Sequence, residues 1–245
     1  MDWDGVTFGA FLGVAGTFGM LALAFYPVMR RTFLLWNAVR TFAFCLMGLA
    51  LFPVELPAFF PTGEARIDIG EIALSIAVGC TGPFLAAYIE ERGPYARIRF
   101  WLRTMLPIGV LGGVATALAP WWPRLDWLHD LIILAMILGL LVALIVAVRA
   151  GSRAARFQAV SYSPLIAVGL VVLTYELSTG QPMPYWQVAA LFAILADFLF
   201  TGVGVIDGFM VIKRQRDAAV ADVREARIAV ATDPLTDIAN RRGLA

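Results

Sequence analysis

Residues 131–148 read LIILAMILGLLVALIVAV, an apolar run without a single charged, amide or hydroxyl side chain. A helix needs about 20 mostly apolar residues to cross the roughly 30 Å hydrocarbon core of a bilayer, so this run is typical of a membrane span. The whole chain of 245 residues is 60% hydrophobic and 15% charged, whereas soluble domains carry about 25% charged residues. The composition therefore predicts an integral membrane protein.

Six further apolar runs of similar length lie along the chain, and short polar connections separate most of them. The seven predicted spans are approximately residues 6–28, 32–53, 70–89, 100–120, 129–148, 157–178 and 184–212. The expected fold is all-α and polytopic, with seven transmembrane helices, because helices satisfy their own backbone hydrogen bonds in lipid. Residues 1–212 are predicted to form one membrane domain.

The basic residues are distributed unevenly between alternate connections. Lys and Arg accumulate on the cytoplasmic side of short loops. One set of loops holds only Arg66 and Arg124, and the other set holds twelve: Arg30, Arg31, Arg92, Arg97, Arg99, Arg103, Arg149, Arg153, Arg156, Lys213, Arg214 and Arg216. We therefore expect the N-terminus outside the membrane and the C-terminus in the cytoplasm.

The reactive side chains exclude several classes of membrane protein. Cys45 and Cys80 lie inside apolar runs and are expected to be small buried hydrophobic residues without a disulfide. His129 is the only histidine, which excludes sites that need two imidazoles, and beside Asp130 it is expected to be an interfacial polar residue. Lys213, the single lysine, lies too near the cytoplasmic edge for a retinal Schiff base in span seven.

Arg40 and Asp197 lie deep inside predicted spans two and seven. At about 1.5 Å per residue, they lie at roughly 13 Å and 12 Å from the cytoplasmic edge. An ionised group at such depth costs at least about 2.5–3.5 kcal/mol, so we expect the two to pair. The alternative is that each is solvated separately, or that Asp197 bonds to Asn37 or Tyr162. Glu176 is expected to reach the membrane interface.

The chain becomes polar after Ile212, but no glycine or proline interrupts it before Pro234. We therefore expect the helix of span seven to continue into the cytoplasm. Residues 213–232 are predicted to form a coiled-coil signalling helix that joins two copies as a homodimer, and a solvated amphipathic helix with coincidental spacing is the alternative. The heptad spacing is carried by Ile212, Arg216, Ala219, Val223, Ala226 and Val230.

Residues 233–242 read DPLTDIANRR, which resembles the D-x-L-T-[GD]-L-x-N-R-R turn that opens GGDEF domains. These are the catalytic domains of bacterial diguanylate cyclases. Ile238 replaces the usual leucine. Residues 233–245 are thus identified as the beginning of a GGDEF domain, in which the resemblance implies a contact between Asp233 and Arg241. The matching residues are Asp233, Leu235, Thr236, Asn240, Arg241 and Arg242.

The resemblance implies GTP and Mg²⁺ as the substrate and metal of the GGDEF domain. The GGDEF loop, the metal-binding aspartates and the guanine contacts of that family correspond to positions after Ala245. No catalytic, substrate-binding or metal residue can be assigned in residues 1–245. We expect these residues to hold no cofactor and not to condense GTP into cyclic di-GMP by themselves.

The seven spans are similar in role to the membrane-associated sensor and seven-helix receptor modules that precede such cyclases. The resemblance implies a sensory module in the bacterial inner membrane, and the alternative is a transporter-like bundle or passive anchor fused to a cyclase or to a degenerate GGDEF domain. The outer loops are short, so the expected stimulus is a small hydrophobic ligand that binds among the helices. The net charge of +1 gives no indication of nucleic-acid binding.

Overall fold

The computed structural model describes residues 3–52, 61–89, 95–122 and 124–231. These residues form seven helices and no strand: α1 (Trp3–Met29), α2 (Thr32–Leu51), α3 (Glu64–Tyr88), α4 (Ala96–Leu118), α5 (Arg124–Arg149), α6 (Arg153–Thr179) and α7 (Trp186–Ala231). All seven are long and apolar enough to cross a membrane. The predicted all-α fold with seven membrane-spanning helices is confirmed.

The third helix begins at Glu64, six residues before the predicted start of span three. Its extra turn contains Arg66, whose Nε donates a hydrogen bond to the carbonyl of Ala50 at 2.8 Å. Arg66 Nη2 donates to the carbonyls of Leu49, at 3.2 Å, and Phe52. The last carbonyls of a helix have no partner within it, so Arg66 satisfies the exposed end of α2. The charged turn therefore has a structural role beyond the apolar span.

Side chains close two other helix ends in the same way. Arg99 Nε donates to the carbonyl of Ala86 near the end of α3 at 2.8 Å. Tyr95 Oη donates to the carbonyl of Ala150, just after α5, at 3.0 Å. Each helix end is thus held by a side chain from another part of the chain, which fixes the position of neighbouring helices as well as their length.

The α3 and α4 helices pack with their backbones in close contact because glycines line the crossing. A Cβ atom at Gly109 would lie 2.9 Å from Gly79 Cα, closer than Cβ contacts in real structures. A Cβ at Gly82 would lie 2.7 Å from Met105 Cβ and would overlap the carbonyl of Leu102. Only glycine allows the two backbones to lie this close together. Between membrane helices, where lipid removes the hydrophobic driving force, such close van der Waals packing commonly holds the helices together.

The chain divides into two compact units, residues 1–202 and 203–245. The apolar core of the first unit lies among α1, α2, α3 and the first part of α7. It contains Phe8, Phe11, Ala15, Phe44, Met47, Phe52, Ala73, Ala77, Leu191, Ile194 and Phe198.

The second unit contains the later part of α7, which is helical to Ala231. This extent agrees with the absence of glycine and proline after Ile212. Side chains 213–226 are all exposed in the single chain. The predicted junction residues lie outside the described residues; they are Asp233, Leu235, Thr236, Asn240, Arg241 and Arg242.

Candidate functional site

Arg40 is fully buried on the inward face of α2. Asn37 lies three residues before it and Phe44 four residues after it, so the three side chains share one face of the helix. Asn37 Oδ1 accepts a hydrogen bond from Arg40 Nη2 at 3.0 Å. The local sequence of α2 therefore supplies one polar partner for the guanidinium.

Asp197 on α7 supplies the opposite charge. Arg40 Nη1 lies 3.1 Å from Asp197 Oδ2, and both side chains are 0% exposed. The two charged residues that the sequence places at similar depth therefore form a direct ion pair. Burying either charge alone would be expensive, so pairing links the inward faces of α2 and α7.

The α6 helix completes the network with two adjacent polar side chains. Tyr162 Oη accepts a hydrogen bond from Arg40 Nη1 at 2.6 Å. Ser161 Oγ donates toward Asp197, with distances of 2.7 Å to Oδ1 and 2.8 Å to its backbone carbonyl. Thr201, four residues along α7, donates to Asp197 Oδ1 at 3.1 Å and lies 2.9 Å from Ser161 Oγ. Three helices thus meet at one ion pair. The ion-pair network consists of Arg40, Asp197 and their hydrogen-bond partners Asn37, Ser161, Tyr162 and Thr201.

Aromatic rings surround the guanidinium where polar partners do not. The Arg40 Cζ atom lies 4.8 Å from the ring centroid of Phe84, 5.4 Å from that of Tyr162 and 5.9 Å from that of Phe198. A cation within about 6 Å of a ring face is attracted by its quadrupole, and the attraction is larger when water is excluded. The rings of α3, α6 and α7 therefore offset part of the cost of burying this charge.

The network does not satisfy all its polar atoms. Within the described part of the chain, Arg40 Nε, Thr41 Oγ1 and Gln158 Nε2 have no hydrogen-bond partner. Asp197 Oδ2 faces Arg40 at ion-pair distance but outside hydrogen-bond geometry.

From the sequence, Asn37 and Tyr162 were the neutral side chains considered as partners of Asp197, and the structure gives it different ones. Asn37 and Tyr162 bind the Arg40 guanidinium, whereas Ser161 and Thr201 bind the carboxylate. Sequence reasoning missed the serine and the threonine. A signal was present, because Thr201 follows Asp197 by four residues on one helix face.

His129 is not the interfacial residue that the sequence predicted. Its side chain is 4% exposed. Its Nδ1 atom lies 2.8 Å from Thr116 Oγ1 and 3.3 Å from Ser75 Oγ. Hydroxyl groups on α3 and α4 face the beginning of α5 and provide hydrogen-bond partners, so the imidazole is buried within the bundle.

A cavity of about 530 Å³ lies among α2, α3, α5, α6 and α7. Most of its wall is apolar, with Leu, Ile, Val, Phe and Met side chains from all five helices. Pockets of about 300–1,000 Å³ with apolar walls and a few polar groups are typical of small-molecule sites. The bundle therefore contains a space of the size and character that a small apolar ligand requires.

One end of the cavity is polar and acidic. Glu71, His129 and Asp130 lie near the beginnings of α3 and α5, and Glu176 lies near the end of α6. Glu176, for which the sequence predicts a position near the membrane interface, is half-buried and lines this cavity. Among the residues that the structure describes, no three His, Cys, Asp or Glu side chains are grouped closely enough to hold a metal ion.

Comparison with known proteins identifies the chain at the level of a family. A family model described as "7TM diverse intracellular signalling" matches residues 5–207. The match covers most of the chain, including all residues of the ion-pair network and of the cavity. The chain therefore belongs to this family of seven-helix signalling domains. No curated protein matches the chain, and no solved structure does.

Proposed function

We propose that this member of the seven-helix signalling family is the sensory and regulatory module of a diguanylate cyclase. In this function it controls the synthesis of cyclic di-GMP from GTP. Membership of a family of intracellular signalling domains supports the sensory part. The cyclase part rests on the likeness of residues 233–242 to the opening turn of GGDEF domains. GTP and Mg²⁺ bind in that domain, and residues 1–245 supply regulation without catalysis.

The observation that carries this proposal is the continuity of α7. One uninterrupted helix, Trp186–Ala231, contains Asp197 and ends two residues before Asp233. A helix transmits displacement along its axis because its backbone hydrogen bonds are internal. A change in the ion-pair network therefore acts on the helix that leads to the junction turn. The contact between Asp233 and Arg241 would couple this helix to the GGDEF domain.

The proposed module lies in the inner membrane of a bacterium, with its N-terminus outside and its C-terminus in the cytoplasm. The uneven distribution of arginines between alternate loops supports this orientation. Cysteine labelling with a membrane-impermeant reagent tests it: Gln181→Cys should react in intact cells, and Ala150→Cys only after permeabilisation. The reverse pattern would contradict the orientation.

The proposal also includes a homodimer through residues 213–232. Val223, a seam position, is 55% exposed in the single chain, and a parallel partner helix would cover it. A weak coiled coil suits a signalling helix, because small changes in tilt or rotation alter the separation of the attached domains. Cross-linking of Val223→Cys in membranes tests the dimer, with Ala221→Cys as a control outside the seam. Equal cross-linking of both would contradict the predicted seam.

The function is tested with a chain that includes the GGDEF domain, expressed in bacteria that lack other diguanylate cyclases. Asp197→Asn should change cyclic di-GMP by about 5- to 150-fold, the usual range of coupling between sites. Asp217→Asn is the matched control, because it makes the same change at an exposed position of α7. The amount of each variant in the membrane is measured in parallel.

Three outcomes would contradict the proposal. Absence of cyclic di-GMP from the unaltered chain would refute cyclase activity. Replacement of residues 1–212 by an unrelated membrane anchor, with regulation unchanged, would support a passive anchor and refute the sensory role. Equal effects of Asp197→Asn and Asp217→Asn would refute the assignment of the ion-pair network to signal transmission.

A further inference from the structure

We propose that the cavity binds a single-chain amphiphile with a cationic amine head group. We also propose that this ligand is the stimulus of the module, a second statement that rests on the proposed function. Binding depends on the shape, the charge and the position of the cavity.

The apolar part of the cavity fits the chain of an amphiphile. Its walls include Phe44 and Met47 from α2, Ile137 from α5, and Leu165 from α6. Transfer of an alkyl chain from water into such a site gains about 0.8 kcal/mol per methylene group. A ligand with a short apolar body would leave part of this surface uncovered, so a chain is favoured over a compact polar molecule.

The polar end of the cavity selects the charge of the head group. Among the lining residues that the structure describes, Glu71, Asp130 and Glu176 carry carboxylates, and none is a lysine or an arginine. Trp186 also lines this end and offers a ring to a cation. An ammonium group complements these side chains, whereas a carboxylate or phosphate head group would be repelled.

Among the described lining residues, the carboxylates lie toward one end of the cavity, and the other end is lined mainly by apolar side chains. The acidic residues lie where α3 and α5 begin and α6 ends. Along α7 the lining runs from Trp186 to Ile194, a distance of about 12 Å at 1.5 Å per residue. A head group at the acidic end would therefore direct its chain along α7 toward the ion pair. This arrangement matches the shape of an amphiphile.

The inner end of the cavity lies one helical turn from the ion-pair network on each of four helices. On α2 and α7, Phe44 and Ile194 line the cavity, four residues after Arg40 and three residues before Asp197. Residues three or four apart lie on the same helix face. On α3 and α6, the corresponding lining residues are Thr81, three residues before Phe84, and Leu165, three residues after Tyr162.

The α7 helix contributes the same face to the cavity and to the network. Trp186, Ala190 and Ile194 line the cavity, and Asp197 and Thr201 continue the series at spacings of three and four residues. A ligand in the cavity would contact α7 directly above the ion pair. By binding one arrangement of α7 better than another, it would shift the equilibrium between them. Binding and regulation are thereby connected through a single helix face.

Binding is tested with the full chain in phosphatidylcholine nanodiscs and three probes that share one alkyl chain. The probes are decylamine, decanol and decanoate, and binding to empty nanodiscs is subtracted. Decylamine should bind saturably and at least about tenfold more tightly than the other two, as expected for one charge-assisted hydrogen bond. Equal binding of decanol or decanoate, or no saturable binding of decylamine, would overturn the proposal.

Matched variants locate the binding site. Glu176→Gln should weaken decylamine binding about tenfold and leave decanol binding unchanged, a pattern that a purely structural defect would not produce. Glu64→Gln makes the same change outside the cavity and should have no effect. Ala190→Phe fills the cavity and should weaken all three probes, whereas Ala189→Phe, one residue outside the lining, should not. Equal effects within either pair would contradict the site.

The stimulus is tested in nanodiscs of the same composition that hold the chain with its GGDEF domain, by measuring conversion of GTP to cyclic di-GMP in the presence of Mg²⁺. Decylamine should change the rate in the unaltered chain and not in Glu176→Gln. Selective binding without any change of rate would refute the stimulus and leave the binding site established. Loss of selective binding with normal cyclase regulation would refute the cavity proposal and leave the proposed function intact.

Discussion

Breaking the ion pair between Arg40 and Asp197 should strongly destabilise the membrane domain. The perturbations are Arg40→Met and Asp197→Leu, singly and together. Each single change leaves one charge at a position that is 0% exposed. Arg40 would keep Asn37 and Tyr162 as hydrogen-bond acceptors, and Asp197 would keep Ser161 and Thr201 as donors. Neither set supplies an opposite charge.

The expected magnitudes follow from burial and pairing. Removing one partner of a buried ion pair costs about 3–5 kcal/mol, because the other charge is left uncompensated. Replacing both by apolar side chains removes that cost, so the double variant should lose less than the sum of the single losses by at least about 2 kcal/mol.

The assay is reversible unfolding in mixed micelles with increasing denaturing detergent. Arg103→Met is the control, since Arg103 is exposed and its replacement should change the free energy of unfolding by less than about 0.5 kcal/mol. Additive losses in the double variant would refute the reasoning, because they would mean that the two charges do not stabilise each other. Single losses below about 1 kcal/mol would refute it as well.

Three further predictions concern the free energy of unfolding in the same assay. Gly82→Ala should lower the free energy of unfolding by about 1–3 kcal/mol because the added Cβ overlaps the backbone of α4. The control Gly139→Ala, with no atom within 4 Å of the added Cβ, should raise it by up to about 1 kcal/mol. Equal effects on the free energy of unfolding would contradict the close packing. Arg66→Met should lower it by about 1–3 kcal/mol because the end of α2 loses its donors, and full recovery by Arg66→Lys would be inconsistent with the several hydrogen bonds of the guanidinium. Ser161→Ala should lower the free energy of unfolding by about 1–2 kcal/mol because the buried Asp197 carboxylate loses a donor. Ser163→Ala should not lower it, because Ser163 is exposed and donates to the carbonyl of Val160 in its own helix turn. A loss in both variants would indicate a general effect on α6.

The number and approximate positions of the helices could be predicted from the sequence because the bilayer imposes a local rule. Each segment must be apolar over about 20 residues and must satisfy its own backbone hydrogen bonds, whatever its neighbours are. Residues 131–148 meet this rule by themselves. The boundary of α3 was missed because its first turn is set by Arg66, whose partners are carbonyls at the end of another helix.

The two intramembrane charges could be identified from the sequence for the same reason. Hydrocarbon makes an isolated charge expensive, so depth alone indicates that Arg40 and Asp197 need partners. Their neutral partners depend on how each helix is rotated about its axis, and apolar spans carry little information about rotation. Only the tertiary structure assigns Tyr162 to the arginine and Ser161 to the aspartate.

The burial of His129 and the acidic cavity depend on several helices at once. The hydroxyl groups that face His129 belong to α3 and α4, and the walls of the cavity come from five helices. Apolar periodicity along one span cannot specify which other spans pack against it, because lipid and protein interiors are similarly apolar. The sequence by itself determined that the chain crosses the membrane seven times and carries two deep charges. The packing of the helices decided how those charges are bound and where the bundle encloses a cavity.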